Sequence, residues 1–96
     1  MTVRELLDIL REEKPYLQEN FGLLSIGLFG SCAKGIERPD SDIDILIELT
    51  EPRFDLLAGL QIYLENRLGR PVDLVRKRIG LSKRFLRRIE NNIYYA

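Results

Sequence analysis

The 96-residue chain contains no histidine and only one cysteine, Cys32. Lack of histidine removes imidazole general bases, serine–histidine triads and histidine-containing zinc sites, and a lone cysteine cannot close an internal disulfide. Any chemistry must therefore use carboxylates, hydroxyls, lysine, arginine or a thiol. Long hydrophobic runs are missing too. Leu23 to Phe29 and Ile43 to Leu49 are the only extended ones, and each falls far short of the roughly 20 residues a membrane-spanning helix needs. No membrane partner is expected. The start, Met1-Thr2-Val3-Arg4-Glu5, has no positive region followed by an apolar one, so no secretory signal is expected and a cytoplasmic location is. Internal repeats, low-complexity tracts and Ser/Gly linkers are also lacking.

What is present suits a small globular domain. Hydrophobic residues make up 45% and charged residues 31% of the chain, enough for a core and unlike a disordered tail. Splitting so short a chain would leave two pieces too small to hold a core, so one domain over residues 1–96 is expected. Net charge is zero, with 15 basic and 15 acidic side chains, but the two signs are segregated. Residues 1–66 carry 13 acidic and 6 basic groups, a balance of −7, and residues 67–96 carry 2 acidic and 9 basic, a balance of +7. The basic half suits a polyanion or an acidic partner, or a solvated face that partly answers the acidic half.

Helix and strand signals alternate along the chain. Thr2-x-x-Glu5 has the form of a capping box, and Leu6, Leu7, Leu10 and Leu17 recur at near-helical spacing. The first helix should start near Val3 and end at Phe21-Gly22, with Pro15 kinking or dividing it. Leu23–Phe29 and Asp42–Leu49 read as strands. Pro52 suits the first turn of a second helix, on which Phe54, Leu57, Leu60, Leu64 and Leu68 form an apolar stripe until Gly69. Val72–Val75 is a short strand, and Ser82 can cap a last helix carrying Phe85, Leu86, Ile89 and Ile93. The order α-β-β-α-β-α describes a mixed α/β (α+β) domain with a sheet of three strands or slightly more.

The segment Gly30 to Asp44 carries the chemistry. A phosphate-binding P-loop fails, because Ile36-Glu37 follow Gly35 where lysine and a hydroxyl are needed. Glycines in the dinucleotide-binding pattern are absent as well. Asp40, Asp42, Asp44 and Glu51 match four positions of a calcium-binding EF-hand loop, but Ile45 stands where its turn requires glycine. On a strand, Asp42 and Asp44 point to one side about 6.6 Å apart. Two parallel carboxylates form half of a magnesium site, which usually borrows further oxygens from substrate phosphates. Asp73 is the candidate third ligand, since an ionised group interrupting an apolar strand needs a metal or a partner, with Arg70 and Arg76 as alternatives. Three such carboxylates can hold two metal ions that clamp the attacking and leaving oxygens of nucleotidyl transfer. Gly30-Ser31 follows the first strand, where backbone amides, the Ser31 hydroxyl and Lys34 or Arg38 could receive phosphate. Singly, these are also a turn glycine, a cap and surface bases.

Gly30-Ser31, Ala33-Lys34-Gly35 and Ser41-Asp42-Ile43-Asp44, with Asp73 on a later strand, resemble the signature of the DNA polymerase beta-type nucleotidyltransferase superfamily. The small size resembles its minimal branch. The resemblance implies a minimal nucleotidyltransferase fold, a small mixed sheet flanked by helices. It also implies Asp42 and Asp44 as ligands of both magnesium ions, Asp73 as ligand of the catalytic one and helper in activating the attacking hydroxyl, and Gly30 with Ser31 as the triphosphate cradle. Lys34 stands where arginine is frequent, which keeps the charge without the bidentate fork. Cys32 occupies a variable position.

Proteins of this branch commonly pair with a HEPN-family toxin. The resemblance thus implies an antitoxin that transfers AMP from ATP to a toxin tyrosine. Contact-only neutralisation with nucleotide binding, and transfer to RNA or to a small molecule such as an aminoglycoside, remain open at this stage, as does a homo- or hetero-oligomeric state. Only Phe85 could stack a base within the basic stretch from Arg67 to Arg88, so RNA ranks lower.

Overall fold

The computed structural model describes residues 2–30, 42–51, 53–77, 83–84, 87 and 93–96. Helix α1 spans Val3–Phe21 and opens with the expected capping box: the Glu5 amide donates to Thr2 Oγ1 at 3.1 Å, and the Thr2 amide to Glu5 Oε1 at 3.3 Å. Pro15 does not divide it. The proline sits on the exposed face, where the Arg11 carbonyl that it leaves without a helical donor can meet water. Gly22, at φ +67, closes the helix by donating its amide to the Leu17 carbonyl.

Strand β1 (Leu23–Phe29) pairs antiparallel with β2 (Ile43–Leu49), and β2 pairs parallel with β3 (Val72–Arg76). Helix α2 (Phe54–Leu68) makes the crossover between β2 and β3 and ends at Gly69, φ +70. The helix begins after Arg53, and Pro52, expected in its first turn, lies outside the described residues. A fourth strand, β4 (Tyr94–Tyr95), pairs antiparallel with β1 and completes a mixed sheet of order β3-β2-β1-β4.

This last strand corrects the expectation that Ile93 belongs to a helical stripe. Ile93 leads into β4 and packs with Val75 against Phe29 and Leu46. Gly27 makes room for it, because a Cβ there would stand 3.0 Å from Ile93 Cγ2 and 3.1 Å from a Tyr95 ring carbon. Lys83, Arg84 and Arg87 are helical and exposed, in keeping with a last helix, whereas Ser82, Phe85, Leu86 and Ile89 lie outside the described residues.

Both helices cover one face of the sheet. Leu6, Leu10 and Leu17 of α1 and Leu60, Leu64 and Leu68 of α2 meet Ile26 and Leu28 of β1 and Ile43, Ile45 and Ile47 of β2 in one core. Each such side chain contributes on the order of 1.5–3 kcal/mol by leaving water. Phe54, expected on the buried stripe, is instead 84% exposed. It occupies the first position of α2, ahead of the part that crosses the sheet. No helix of the described residues is long and apolar enough to cross a membrane.

Candidate active site

Strand alternation sorts β2 into two sets. Ile43, Ile45 and Ile47 enter the helix-covered core, so Asp44, Leu46 and Glu48 project from the opposite face. The parallel register then sets Asp44 of β2 directly beside Asp73 of β3, and the antiparallel register sets Phe29 of β1 on its other side. Asp42 stands exposed one residue before β2, on the Asp44 side of the chain. The predicted aspartates on two adjacent strands are therefore brought to one end and one face of the sheet.

Asp73 is exposed, not buried as its apolar neighbours suggest. Val72 and Leu74 take the core-facing positions, which turns Asp73 outward on an edge strand. Asp44 is the half-buried member. Burial pushes its carboxyl up, reinforced by the like charge of Asp73, a side-chain hydrogen bond with Asp73, and the more weakly acting Asp42.

Gly30 contributes in a way sequence spacing could not show. It follows β1 with φ +72, and a Cβ there would lie 2.1 Å from Asp44 Oδ2. The missing side chain thus makes room for the carboxylate itself, besides allowing close backbone approach by a ligand. Ser31 and Lys34 lie outside the described residues.

Among the described residues no three Asp, Glu, Cys or His side chains form a ready-made metal cage. The donors nonetheless fit a hard divalent cation. They are carboxylate oxygens alone, crowded enough to raise Asp44, and a magnesium-class ion completes its shell with water and substrate phosphate. Ile45, fully buried in β2, rules out a calcium loop of the EF-hand kind at this position.

Comparison with known proteins gives the family. The profile of the family described as "Nucleotidyltransferase domain" matches residues 3–95. The chain belongs to that family. This nucleotidyltransferase is 41% identical over 93 residues to the protein adenylyltransferase MntA of Thermococcus cleftensis, covering 93% of this chain and 94% of that one. Among solved structures it resembles a candidate minimal nucleotidyltransferase with a TM-score of 0.78 and 35% identity, over 98% of this chain and 95% of the other. It also resembles a chain of a toxin–antitoxin structure with AMP-PNP, with a TM-score of 0.68 and 25% identity, over 99% and 72% of the two chains. At 23% identity and a TM-score of 0.58, covering 97% and 66%, a complex of the tri-AMPylated Shewanella oneidensis HEPN toxin with its MNT antitoxin shares the fold. Near-complete coverage of the first two proteins places the nucleotidyltransferase in the minimal, MntA-like branch.

Proposed function

We propose that residues 1–96 form a single domain that transfers AMP from ATP to a tyrosine hydroxyl of a HEPN-family toxin and thereby acts as its antitoxin. The observation that carries this reading is the register of Asp44 with Asp73 beside the side-chain-free Gly30. The adenylyltransferase relative and the AMP-PNP-bound toxin–antitoxin structure support ATP and a protein acceptor. The HEPN complex supplies the kind of partner to test.

In this reading Asp42, Asp44 and Asp73 hold magnesium, two ions being the arrangement that suits their number. Bound there, magnesium would neutralise the phosphates and stabilise the charge that develops on the attacking and leaving oxygens. Gly30, Ser31 and Lys34 receive the triphosphate. The acceptor oxygen forms a bond to the α-phosphorus as the bond to the bridging oxygen breaks, and pyrophosphate departs. Asp73, which is exposed on the sheet edge, would accept the hydroxyl proton in this reading.

The test is incubation of the protein with magnesium and α-labelled ATP, with and without a HEPN-family protein that co-purifies with it, next to the Asp42→Ala, Asp44→Ala double variant. Label on a partner tyrosine, lost in the double variant, is the expected result. Tight binding with no label on any protein would replace transfer by neutralisation through contact, and label on RNA would replace the acceptor.

A further inference from the structure

At the end of the sheet remote from Gly30 lies a cleft of about 280 Å³ lined by Asn20, Phe21, Gly22, Thr50, Glu51 and Leu56. Its floor is fixed. Both the amide and the hydroxyl of Thr50 donate to the Gly22 carbonyl, at 2.8 and 2.9 Å, tying the end of α1 to the end of β2. Its wall includes Phe21, held edge-on by Tyr16 with ring centroids 6.4 Å apart.

The charge here is one-sided. The cleft sits at the C-terminus of α1, the negative end of the helix dipole, yet the last turn of α1 contains no basic residue. Glu51 adds an exposed carboxylate. The nearest cation in sequence, Arg53, is already engaged by both carboxylate oxygens of Asp55, at 3.2 and 2.8 Å. An aromatic wall, a carboxylate and a helix C-terminus around a small apolar cleft are what a guanidinium or ammonium on an aliphatic stem would complement.

We propose that this cleft receives an arginine or lysine side chain of the acceptor protein, with Phe21 against its aliphatic stem and Glu51 at its charged end. The inference rests on the reading that the acceptor is a protein. Strand β1 separates the cleft from Gly30 by roughly 20 Å at about 3.3 Å per residue, so an occupant held here leaves the carboxylate end open. Docking and transfer then occupy opposite ends of the same sheet, and the cleft sets acceptor affinity without touching the reacting atoms.

The experiment compares Glu51→Lys and Glu51→Ala, at an exposed position of the cleft, with Asp8→Lys, a charge change equal to the first but placed on the exposed side of α1. Calorimetric Kd for the HEPN partner and steady-state transfer kinetics are measured for each. Docking predicts Kd and acceptor KM raised at least tenfold by Glu51→Lys and at least threefold by Glu51→Ala. It also predicts kcat at saturating partner and ATP affinity within twofold of wild type, and no effect of Asp8→Lys. Unchanged Kd in both cleft variants would overturn it, as would an equal loss in Asp8→Lys or a wild-type chain that does not bind the partner. A wild-type dimer dissolved by Glu51→Lys while partner binding persists would assign the cleft to a second copy of this chain and equally overturn it. Wild type that binds the partner but transfers no label would sink the proposed reaction alone, and the Kd values would still decide the docking site.

Discussion

Gly30 and Asp44 share one space: the position a Cβ would take at residue 30 is 2.1 Å from Oδ2 of Asp44. Thirteen residues of sequence lie between them, and β1–β2 pairing closes the gap by setting Asp44 opposite Phe29. Gly30→Ala would meet two penalties. The αL backbone at φ +72 costs a side-chain-bearing residue about 1–2 kcal/mol, and the methyl must displace the Asp44 carboxylate. Transfer activity should fall at least 100-fold while the domain stays folded. A double-mutant cycle with Asp44→Ala should show strong non-additivity, because one group is displaced by either change. Additive losses would separate the two residues.

Magnesium should stabilise the folded protein through the aspartates. Ligands that bind only the native state raise its melting temperature as their concentration passes Kd. A thermal scan with magnesium and AMP-PNP is expected to raise Tm for wild type and to leave Asp42→Ala, Asp44→Ala unmoved. An equal rise in both would place the ion elsewhere.

Between the two helices, Tyr63 donates its hydroxyl proton to Glu13 Oε2 and Arg67 Nε donates to Glu13 Oε1 at 2.8 Å. The Tyr63 bond, then the Arg67 bond, hold the Glu13 carboxyl below its ordinary value, and Glu13 pushes the Tyr63 phenol up to about 12. The lowered carboxylate adds stability above its unfolded pKa, lost as pH falls through the folded value. The raised phenol adds stability below its unfolded value near 10, lost as pH rises toward about 12. Tyr63→Phe should therefore lower Tm at neutral pH, with the gap from wild type closing in acid and in strong alkali. A gap independent of pH would show that only ring packing had changed.

Gly27 admits β4. Gly27→Val should force Ile93 and Tyr95 off β1 and free the Ala96 amide, which donates to the Ile26 carbonyl at 2.9 Å. Hydrogen exchange at Ala96 is expected to accelerate at least tenfold in the variant, while amides in the centre of β2 stay protected. Unchanged protection at Ala96 would mean that β4 tolerates a side chain beneath it.

Thr50→Val removes the hydroxyl that bonds the Gly22 carbonyl but keeps its shape. About 1 kcal/mol of stability should be lost, the usual net value of one such bond. Leu64→Ala, fully buried, should cost about 2–5 kcal/mol through transfer and cavity terms. Denaturant titration of both variants measures the contrast, and similar losses would contradict the burial difference.

Much of this was legible without coordinates, because local chemistry decides it. The Thr2–Glu5 box marks the start of α1 three residues apart, and the glycines after Phe21 and Leu68 mark helix ends by their tolerance of positive φ. Ile43, Ile45 and Ile47 alternate with Asp44, so one face of β2 had to be apolar and the other could carry a carboxylate. The motif around Gly30, Asp42 and Asp44 named the family before any contact was known. Pairing was not legible. Ile93 fits a helical stripe as well as a strand approach, and only the open edge of β1 over Gly27 selects the strand. Phe54 fits the α2 stripe by spacing, but its exposure depends on where the helix meets the sheet. Asp73 sits among apolar neighbours in either case, and the parallel register alone turns it outward beside Asp44.

The sequence by itself determined α1, β1, β2, α2 and β3 as elements and the residue kinds available for chemistry, since these follow from periodicity, caps and side-chain character within a few residues. Tertiary structure alone decided that Gly30 must lack a side chain, that Asp44 and Asp73 stand in one row, and that α1 and β2 end around a cleft. Each of these relationships joins segments distant along the chain, and no spacing within one segment encodes which strand it will lie beside.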